Sequence, residues 1–196
     1  MAFAYPVFLE LKGKRAVVIG SLALEEGKDD ALRSAGAEVD VFANGAWTPE
    51  DLDDAFICVA SSSDAGEREA IAQAARDRGV LVNVMDDITN CDFAAPAIVR
   101  RGDLVLAIST GGASPAVARK VREDLERRFG SEWAETLTVI SEVRRETLPA
   151  LGDLRVRAKR WRQALDLDEA VELVRTGRAD ELRRTLIERL LGEGAA

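Results

Sequence analysis

The stretch of sequence that decides the fold is KRAVVIG, residues 14–20, which begins with two cations and ends at Gly20 after an apolar, β-branched run. A continuous apolar run of this length is typical of a parallel strand that is buried on both faces. Residues 24–35 follow it, are rich in Ala, Leu and charged residues, and stop before Gly36. A glycine in that place predicts the end of a helix, so the turn at Gly20 leads from a strand into a helix.

The alternation of strand and helix continues along the first half of the chain. The patterns predict further helices from Thr48 and over residues 66–78, and further strands at residues 38–43, 55–60 and 80–85. Apolar strands that alternate with helices through short, glycine-ended connections are typical of a doubly wound parallel sheet. We therefore expect an α/β fold that begins with a Rossmann-like domain of the dinucleotide-binding type over residues 1–92.

The second half has a different pattern. A strand pair is predicted at residues 93–99 and 104–109, and a long helix from Pro115 to about residue 129. From residue 132 onward the pattern is almost entirely helical, and the predicted N-caps of the last two helices are Asp166 or Asp168, and Asp180. The chain is therefore expected to continue with a short middle region over residues 93–130 and a helical C-terminal domain over residues 131–196.

The composition excludes several classes of function. The 196 residues include 27 Lys and Arg, 35 Asp and Glu and no His, so the net charge is −8. An acidic surface repels phosphate groups, so we expect neither a nucleic-acid nor a membrane partner. Without histidine, proton transfer must use a carboxylate, Lys, Tyr or Cys. The two cysteines have no metal-like spacing and no targeting segment is evident, which favours a cytoplasmic protein.

The turn after the first strand is the first candidate site. A G-x-G-x-x-G fingerprint lets the backbone approach a pyrophosphate, but here Leu22 and Glu25 stand where the second and third glycines belong. Asp40 lies twenty residues after Gly20 but falls inside the second predicted strand rather than clearly at its end. The residues leave open either an altered dinucleotide site or a purely structural turn.

Two adjacent carboxylates, Asp86 and Asp87, follow the strand at residues 80–85. They are predicted to lie at the carboxyl edge of the sheet, where α/β proteins place their sites. Partial burial beside a like charge is expected to raise the pKa of one of them, which would make it a usable acid or base. The alternative is that Asp87 or Thr89 only caps the following turn.

The third candidate is the loop STGGASP, residues 109–115, which combines two glycines with three hydroxyls. Ser114 is the predicted N-cap and Pro115 the first residue of the following helix. Backbone N–H groups at such a helix start form an anion nest, which suits a ligand that carries carboxylates. An ordinary capped loop is the alternative.

Three blocks of the chain resemble the precorrin-2 dehydrogenase/sirohydrochlorin ferrochelatase proteins of sirohaem synthesis. They are YPVFLELKGKR with the strand into Gly20, the segment from VNVMDD through CDF to PAIVRRG, and ISTGGASPAVAR, at residues 5–20, 82–102 and 108–119. The resemblance implies a Rossmann domain, a dimerisation region with a substrate loop over residues 93–130, and a helical C-terminal domain. It implies NAD-dependent oxidation of precorrin-2 to sirohydrochlorin by a homodimer, in some members followed by insertion of Fe²⁺ into this tetrapyrrole.

The resemblance also assigns site residues. Asp86 matches the family's essential aspartate and is the implied catalytic residue, and no metal-binding residue is implied. The implied NAD-binding residues lie in the turns after the first and third strands: Gly20, Ser21, Leu22, Ser61 and Ser62. The implied tetrapyrrole-binding residues lie in the third candidate loop: Ser109, Thr110, Gly111, Gly112 and Ser114.

One departure from the family pattern leaves other functions open. The family usually has three glycines at residues 20–22, whereas this chain has Gly-Ser-Leu, and a side chain cannot restore the close approach that glycine allows. A relative that lost the redox step but still binds or chelates tetrapyrroles is therefore a second hypothesis. A non-enzymatic homodimeric scaffold is the third.

Overall fold

The computed structural model describes residues 5–192 and divides into two compact units, one ending at Ala95 and the other beginning at Pro96. Residues 1–4 and 193–196, at the ends of the first and last predicted domains, lie outside the described part. The three-part division at residues 92 and 130 stays a prediction, because compactness alone separates only two units.

The first unit contains a parallel four-stranded sheet in the order β2-β1-β3-β4. Its strands are β1 (Arg15–Ile19), β2 (Glu38–Phe42), β3 (Ile57–Ala60) and β4 (Leu81–Val84). Its α-helices are α1 (Ser21–Glu25), α2 (Lys28–Ser34) and α3 (Ala65–Asp77), and short 3-10 turns cover Pro49–Leu52 and Ile88–Asn90. The predicted α/β class is confirmed.

Strand β1 is central because its side chains serve two cores. Val17 and Ile19 join one apolar cluster with Ile71 of α3, whereas Ala16 and Val18 join a second cluster on the opposite side of the strand. These four side chains are fully buried. This explains the continuous apolar run, because a strand covered on both faces has no position for a polar side chain.

Two of the predicted element boundaries are wrong. The helix expected over residues 24–35 is two helices, because Gly27 has a left-handed φ of 65° that ends the first and precedes the second. The strand expected to start at Phe93 starts instead at Ala97, after a segment that bonds to the outer edge of β4. At Gly27 a local backbone conformation overrides the apolar pattern, and before Ala97 hydrogen bonds to β4 do so.

Over its described residues, 96–192, the second unit combines a hairpin with five α-helices. Strands β5 (Ala97–Arg101) and β6 (Leu104–Ile108) pair antiparallel, as predicted. The helices are α4 (Pro115–Arg128), α5 (Glu132–Thr147), α6 (Leu154–Ala164), α7 (Leu167–Arg175) and α8 (Ala179–Leu191). Helices α5 to α8 share one apolar core, whereas α4 has no buried residue. Within residues 5–192, no helix is both long and apolar enough to cross a membrane.

The predicted caps in the second half are mostly confirmed. The Ser114 hydroxyl accepts from the Val117 N–H, and the Asp166 carboxylate accepts from the first turn of α7. Asp180 is not the N-cap of α8, because Arg178 occupies that position and Asp180 lies inside the first turn. An acid there still interacts favourably with the helix dipole.

Candidate functional site

The candidate site lies at the carboxyl edge of the parallel sheet. The chain leaves β1 toward β2 on one side, and β3 lies on the other side of β1, so the strand order reverses between β1 and β3. In open α/β sheets, ligands bind in the crevice at such a reversal. The turns after β1 and β3 border this crevice, and the turn after β4 lies beside that of β3, since these two strands pair.

The turns after β1 and β3 are in direct contact. Gly20 has a φ of 95°, and a Cβ at this position would lie 2.1 Å from the Ser61 carbonyl oxygen. The Ser61 hydroxyl accepts from the Ala23 N–H at 3.0 Å, and the Ser61 side chain is buried. The structure therefore brings together the two turns that the sequence predicted for the cofactor. Gly20 is required there by the approach of the protein's own backbone.

The position of these turns fits a dinucleotide, with one exception at the start of α1. Leu22 is 42% exposed, so its side chain occupies surface where the fingerprint has a glycine. Asp40 lies within β2, and its carboxylate accepts from Arg15 Nε at 2.8 Å. It is therefore in mid-strand, as the sequence indicated, and away from the edge where a ribose-binding acid is expected.

A carboxylate that sequence reasoning missed organises the turns after β2 and β3. Glu67, in the first turn of α3, accepts from Ser62 Oγ at 2.6 Å. It also accepts from the Gly45 N–H at 2.7 Å, from Trp47 Nε1 at 3.0 Å and from Asn44 Nδ2 at 3.2 Å. These donors, Ser62 first, lower the pKa of Glu67 and keep it ionised. Its only signal in the sequence is an acid at a helix start, which is a common feature.

The next residue, Arg68, was also missed. Its Nε donates to Asp87 Oδ2 at 3.0 Å, and its Nη1 donates to the carbonyl oxygens of Ser62 at 3.0 Å and Ser63 at 3.2 Å. Asn90 Nδ2 donates to the same Asp87 oxygen at 3.1 Å. The turns after β3 and β4 are thus joined through one guanidinium group.

The expected electrostatics of the two adjacent carboxylates need correction. The hydrogen bond from Arg68, followed by that from Asn90, lowers the pKa of Asp87 instead of raising it, because a cation favours the charged form. Asp87 occupies the N-cap position of the 3-10 turn, but its carboxylate makes no capping bond to the backbone. Asp86 is exposed and has a left-handed φ of 61°. Of the pair, Asp87 is thus held by an ion pair while Asp86 lies open to solvent.

Cys91 and Asp92 hold the segment that follows these carboxylates. The Cys91 sulfur lies 3.1 Å from the Val84 carbonyl oxygen and 3.2 Å from the Val84 nitrogen. Asp92 exchanges bonds with Val82, donating through its N–H at 2.7 Å and accepting through its carboxylate at 3.2 Å. Burial raises the pKa of the Cys91 thiol, which disfavours the reactive thiolate form.

The predicted substrate loop satisfies much of its own backbone. Gly111 N–H donates to Ser109 Oγ at 3.1 Å, Ser114 N–H to Thr110 Oγ1 at 3.2 Å, and Ala113 N–H to the Thr110 carbonyl at 3.1 Å. The expected anion nest is therefore mostly occupied by the loop's own oxygens. Both glycines have left-handed φ, 60° and 85°, which explains why this loop contains them.

An open groove follows this loop at the start of α4. It has a volume of about 380 Å³ and is lined by the first two turns of the helix, including Arg119 and Lys120. Glu123 lines the same groove and pairs with Lys120 at 3.9 Å, so the positive charge offered to a carboxylate comes from Arg119.

Within residues 5–192, no group of three or more Cys, Asp or Glu side chains is arranged to hold a metal ion.

Comparisons with known proteins match both halves of the chain. Residues 7–97 match a family described as putative NAD(P)-binding, and residues 101–128 match one described as sirohaem biosynthesis protein central. The siroheme synthase of Methylococcus capsulatus is 31% identical over 93% of this chain and 42% of its own length. That of Pseudomonas paraeruginosa is 32% identical over 95% of this chain and 44% of its own length.

The chain thus spans less than half the length of these relatives. A solved structure, "SirC, precorrin-2 dehydrogenase", has the same fold, with a TM-score of 0.63 at 21% identity over 93% of this chain and 98% of that one. The two matched families follow each other in chain order and cover most of the three blocks of sequence that carry the resemblance. The chain therefore belongs to the family of sirohaem-biosynthesis proteins that its motifs resemble.

Proposed function

We propose that this chain catalyses the NAD-dependent oxidation of precorrin-2 to sirohydrochlorin. The observation that carries the proposal is the polar network at the carboxyl edge of the sheet. It joins the cofactor turn, defined here as residues 61–63, to the catalytic turn, defined as residues 85–87. The name of the structural neighbour and those of the relatives support the choice of reaction.

NAD would be held by Gly20, Ser21 and Leu22 after β1 and by Ser61 and Ser62 after β3. When bound, it supplies a hydride acceptor. Gly20 keeps the two turns in contact, and Glu67 fixes the Ser62 hydroxyl through a 2.6 Å hydrogen bond. The match to a putative NAD(P)-binding family over these residues supports this assignment.

Asp86 is the proposed proton acceptor. A dehydrogenation removes a hydride and a proton from the substrate, and a chain without histidine must give the proton to another side chain. Asp87 is ill suited, because Arg68 and Asn90 bind its carboxylate and favour the charged form. The carboxylate of the exposed Asp86 has no such hydrogen-bond or ion-pair partner in the described part of the chain.

The tetrapyrrole would bind through the loop formed by Ser109, Thr110, Gly111, Gly112 and Ser114. The adjoining groove supports this, since Arg119 offers positive charge to the acidic side chains of the macrocycle, whereas Lys120 is paired with Glu123. Fe²⁺ is proposed as the substrate of a second step, insertion into sirohydrochlorin. In that step, Asp86 would take protons from pyrrole nitrogens.

The protein is further proposed to act as a homodimer in the cytoplasm. A two-stranded hairpin is marginal by itself, and β5–β6 with α4 exposes Ile98, Val117 and Val121. A second copy that covers these side chains would complete the packing. Free thiols at Cys58 and Cys91, together with NAD as cofactor, fit a reducing compartment.

The test begins with NAD⁺ and sirohydrochlorin titrations by calorimetry and an anaerobic assay of precorrin-2 oxidation. We expect Asp86→Asn to lower kcat about a hundred-fold or more, the scale of general acid–base catalysis, with unchanged NAD⁺ affinity and melting temperature. Asparagine tolerates the left-handed backbone at this position. Asp54→Asn is the matched control, because Asp54 is the other described non-glycine residue with positive φ.

Other outcomes would contradict the proposal in different ways. Full activity in Asp86→Asn would exclude Asp86 as the proton acceptor. If sirohydrochlorin binds but NAD⁺ does not, the hypothesis of a chelatase or tetrapyrrole-binding relative without the redox step is favoured. If neither ligand binds, the scaffold hypothesis is favoured.

A further inference from the structure

We propose that Arg68 is a positioning residue that couples the cofactor turn to the catalytic turn, so that the two are held at a fixed separation. The inference rests on the proposed function for the roles of the two turns. The physical coupling rests only on contacts made by the Arg68 side chain.

The guanidinium group of Arg68 binds the two turns through different nitrogens. Nη1 donates to the carbonyl oxygens of Ser62 and Ser63, and Nε donates to Asp87 Oδ2. A guanidinium is planar and rigid, so the directions of these bonds are fixed relative to each other. The Arg68 and Asp87 side chains are only 24% and 20% exposed, which limits competition from water.

The backbone around Asp86 needs such an anchor. A non-glycine residue with φ near +60° is held in a sparsely populated conformation, which persists only where its surroundings fix it. Before Asp86, the Met85 N–H donates to the Ala60 carbonyl at 2.8 Å. After it, the Asp87 N–H donates to the Val84 carbonyl at 3.2 Å and the Asp87 side chain is fixed by Arg68, so Arg68 supplies the side-chain anchor beside two backbone hydrogen bonds.

Fixed separation matters because the proposed reaction has two reacting groups on different turns. The hydride acceptor would lie against the cofactor turn, and the proton acceptor is carried by the catalytic turn. A misplacement of about 1 Å between reacting groups can cost a hundred-fold in rate. Arg68 thus acts through Ser62, Ser63 and Asp87, and not by touching substrate.

The chain offers a matched control on the same helix. Arg76 of α3 binds Asp92 through Nε at 3.2 Å and the Thr89 carbonyl through Nη2 at 3.4 Å. It therefore makes an ion pair with the segment after β4, as Arg68 does, but has no bond to the cofactor turn. Loss of either ion pair is expected to cost similar stability, so a purely structural role would give the two variants the same phenotype.

The first experiment is hydrogen–deuterium exchange on the ligand-free wild-type protein and on the Arg68→Gln and Arg76→Gln variants. We expect Arg68→Gln to speed exchange in both the cofactor turn and the catalytic turn. Arg76→Gln is expected to speed it only in residues 89–92. Equal effects of the two variants on the cofactor turn would overturn the coupling.

The second experiment measures NAD⁺ affinity by calorimetry and precorrin-2 oxidation in the same variants. We expect Arg68→Gln to weaken NAD⁺ binding and to lower kcat about a hundred-fold, with little rescue by Arg68→Lys, whose ammonium lacks the rigid fork. Arg76→Gln should leave both values unchanged. Wild-type affinity and kcat in Arg68→Gln would overturn the positioning role.

Failure of the proposed function gives a different result. A wild-type protein without NAD⁺ affinity or turnover would contradict the proposed function. The exchange experiment needs no ligand and would still decide whether Arg68 couples the two turns.

Discussion

Asp86 and Asp87 are neighbours in sequence but have opposite surroundings. The sequence indicated that one of them would serve as an acid or base at the carboxyl edge of the sheet, and it gave no means of separating them by environment. Arg68 makes the difference, because it binds Asp87 and leaves Asp86 exposed. An arginine nineteen residues before Asp87 carries no local signal of such a partnership.

The contact between the turns after β1 and β3 can be tested by adding one methyl group. We expect Gly20→Ala to lower the free energy of unfolding by about 3 kcal/mol or more, since the new Cβ meets the Ser61 carbonyl and φ is positive. Urea denaturation measures this change. Gly27→Ala is the control, because Gly27 also has positive φ but has nothing within 4 Å of an added Cβ. An equal loss in both variants would show that backbone conformation alone explains the effect.

At the scale of elements, the apolar pattern predicted every strand of the parallel sheet, and it failed at one glycine and at one segment held by tertiary contacts. All four strands of this sheet lie within the segments that were predicted from their apolar residues. The break between α1 and α2 depends on the left-handed conformation of Gly27, and a glycine inside a helical pattern predicts this only weakly. The late start of β5 depends on the bonds of Asp92 to β4, which are tertiary contacts.

Helix α6 carries a row of like charges on its exposed face. Arg155, Lys159 and Arg162 are exposed at i, i+4 and i+7, and none of them has an ion-pair partner among residues 5–192. Like charges at such spacing destabilise a helix, and Arg155 also lies in the first turn, where the dipole disfavours a cation.

We expect Arg155→Glu to raise the free energy of unfolding by about 0.5–1 kcal/mol, since it removes one repulsion, adds an attraction to Lys159 and suits the dipole. Thermal denaturation at low salt measures the gain. Arg162→Glu is the control, because an acid in the last turn opposes the dipole while attracting the same Lys159. A gain of equal size in the control would assign the effect to charge pairing alone.

At the scale of the whole molecule, the fold class and the family follow from sequence, whereas assembly does not. The chain pattern identified a Rossmann-like sheet and a helical C-terminal part, and both are present. The exposed apolar residues of α4 indicate a surface that residues 5–192 leave open, since that helix has no buried side chain. Coverage of this surface by a second copy depends on contacts between two chains, which the pattern of one chain does not predict.

The proposed homodimer makes a direct prediction. We expect the double variant Val117→Glu and Val121→Glu to sediment as a monomer at concentrations where the wild type sediments as a dimer, because two buried charges would have to be desolvated. Leu154→Glu, on the exposed surface of α6, should sediment as the wild type does. Dimerisation of the double variant would exclude this face of α4 from the interface.

The two free cysteines report two different opening motions of the molecule through their labelling rates. Burial raises the pKa of Cys58 to about 12, and this residue sits in the middle of β3, so a thiol reagent can reach it only when the sheet itself opens. Cys91 is bound to the end of β4, so its labelling requires only that the segment beside the catalytic turn detach. The ratio of the two labelling rates therefore separates local opening beside the catalytic turn from global unfolding in one sample.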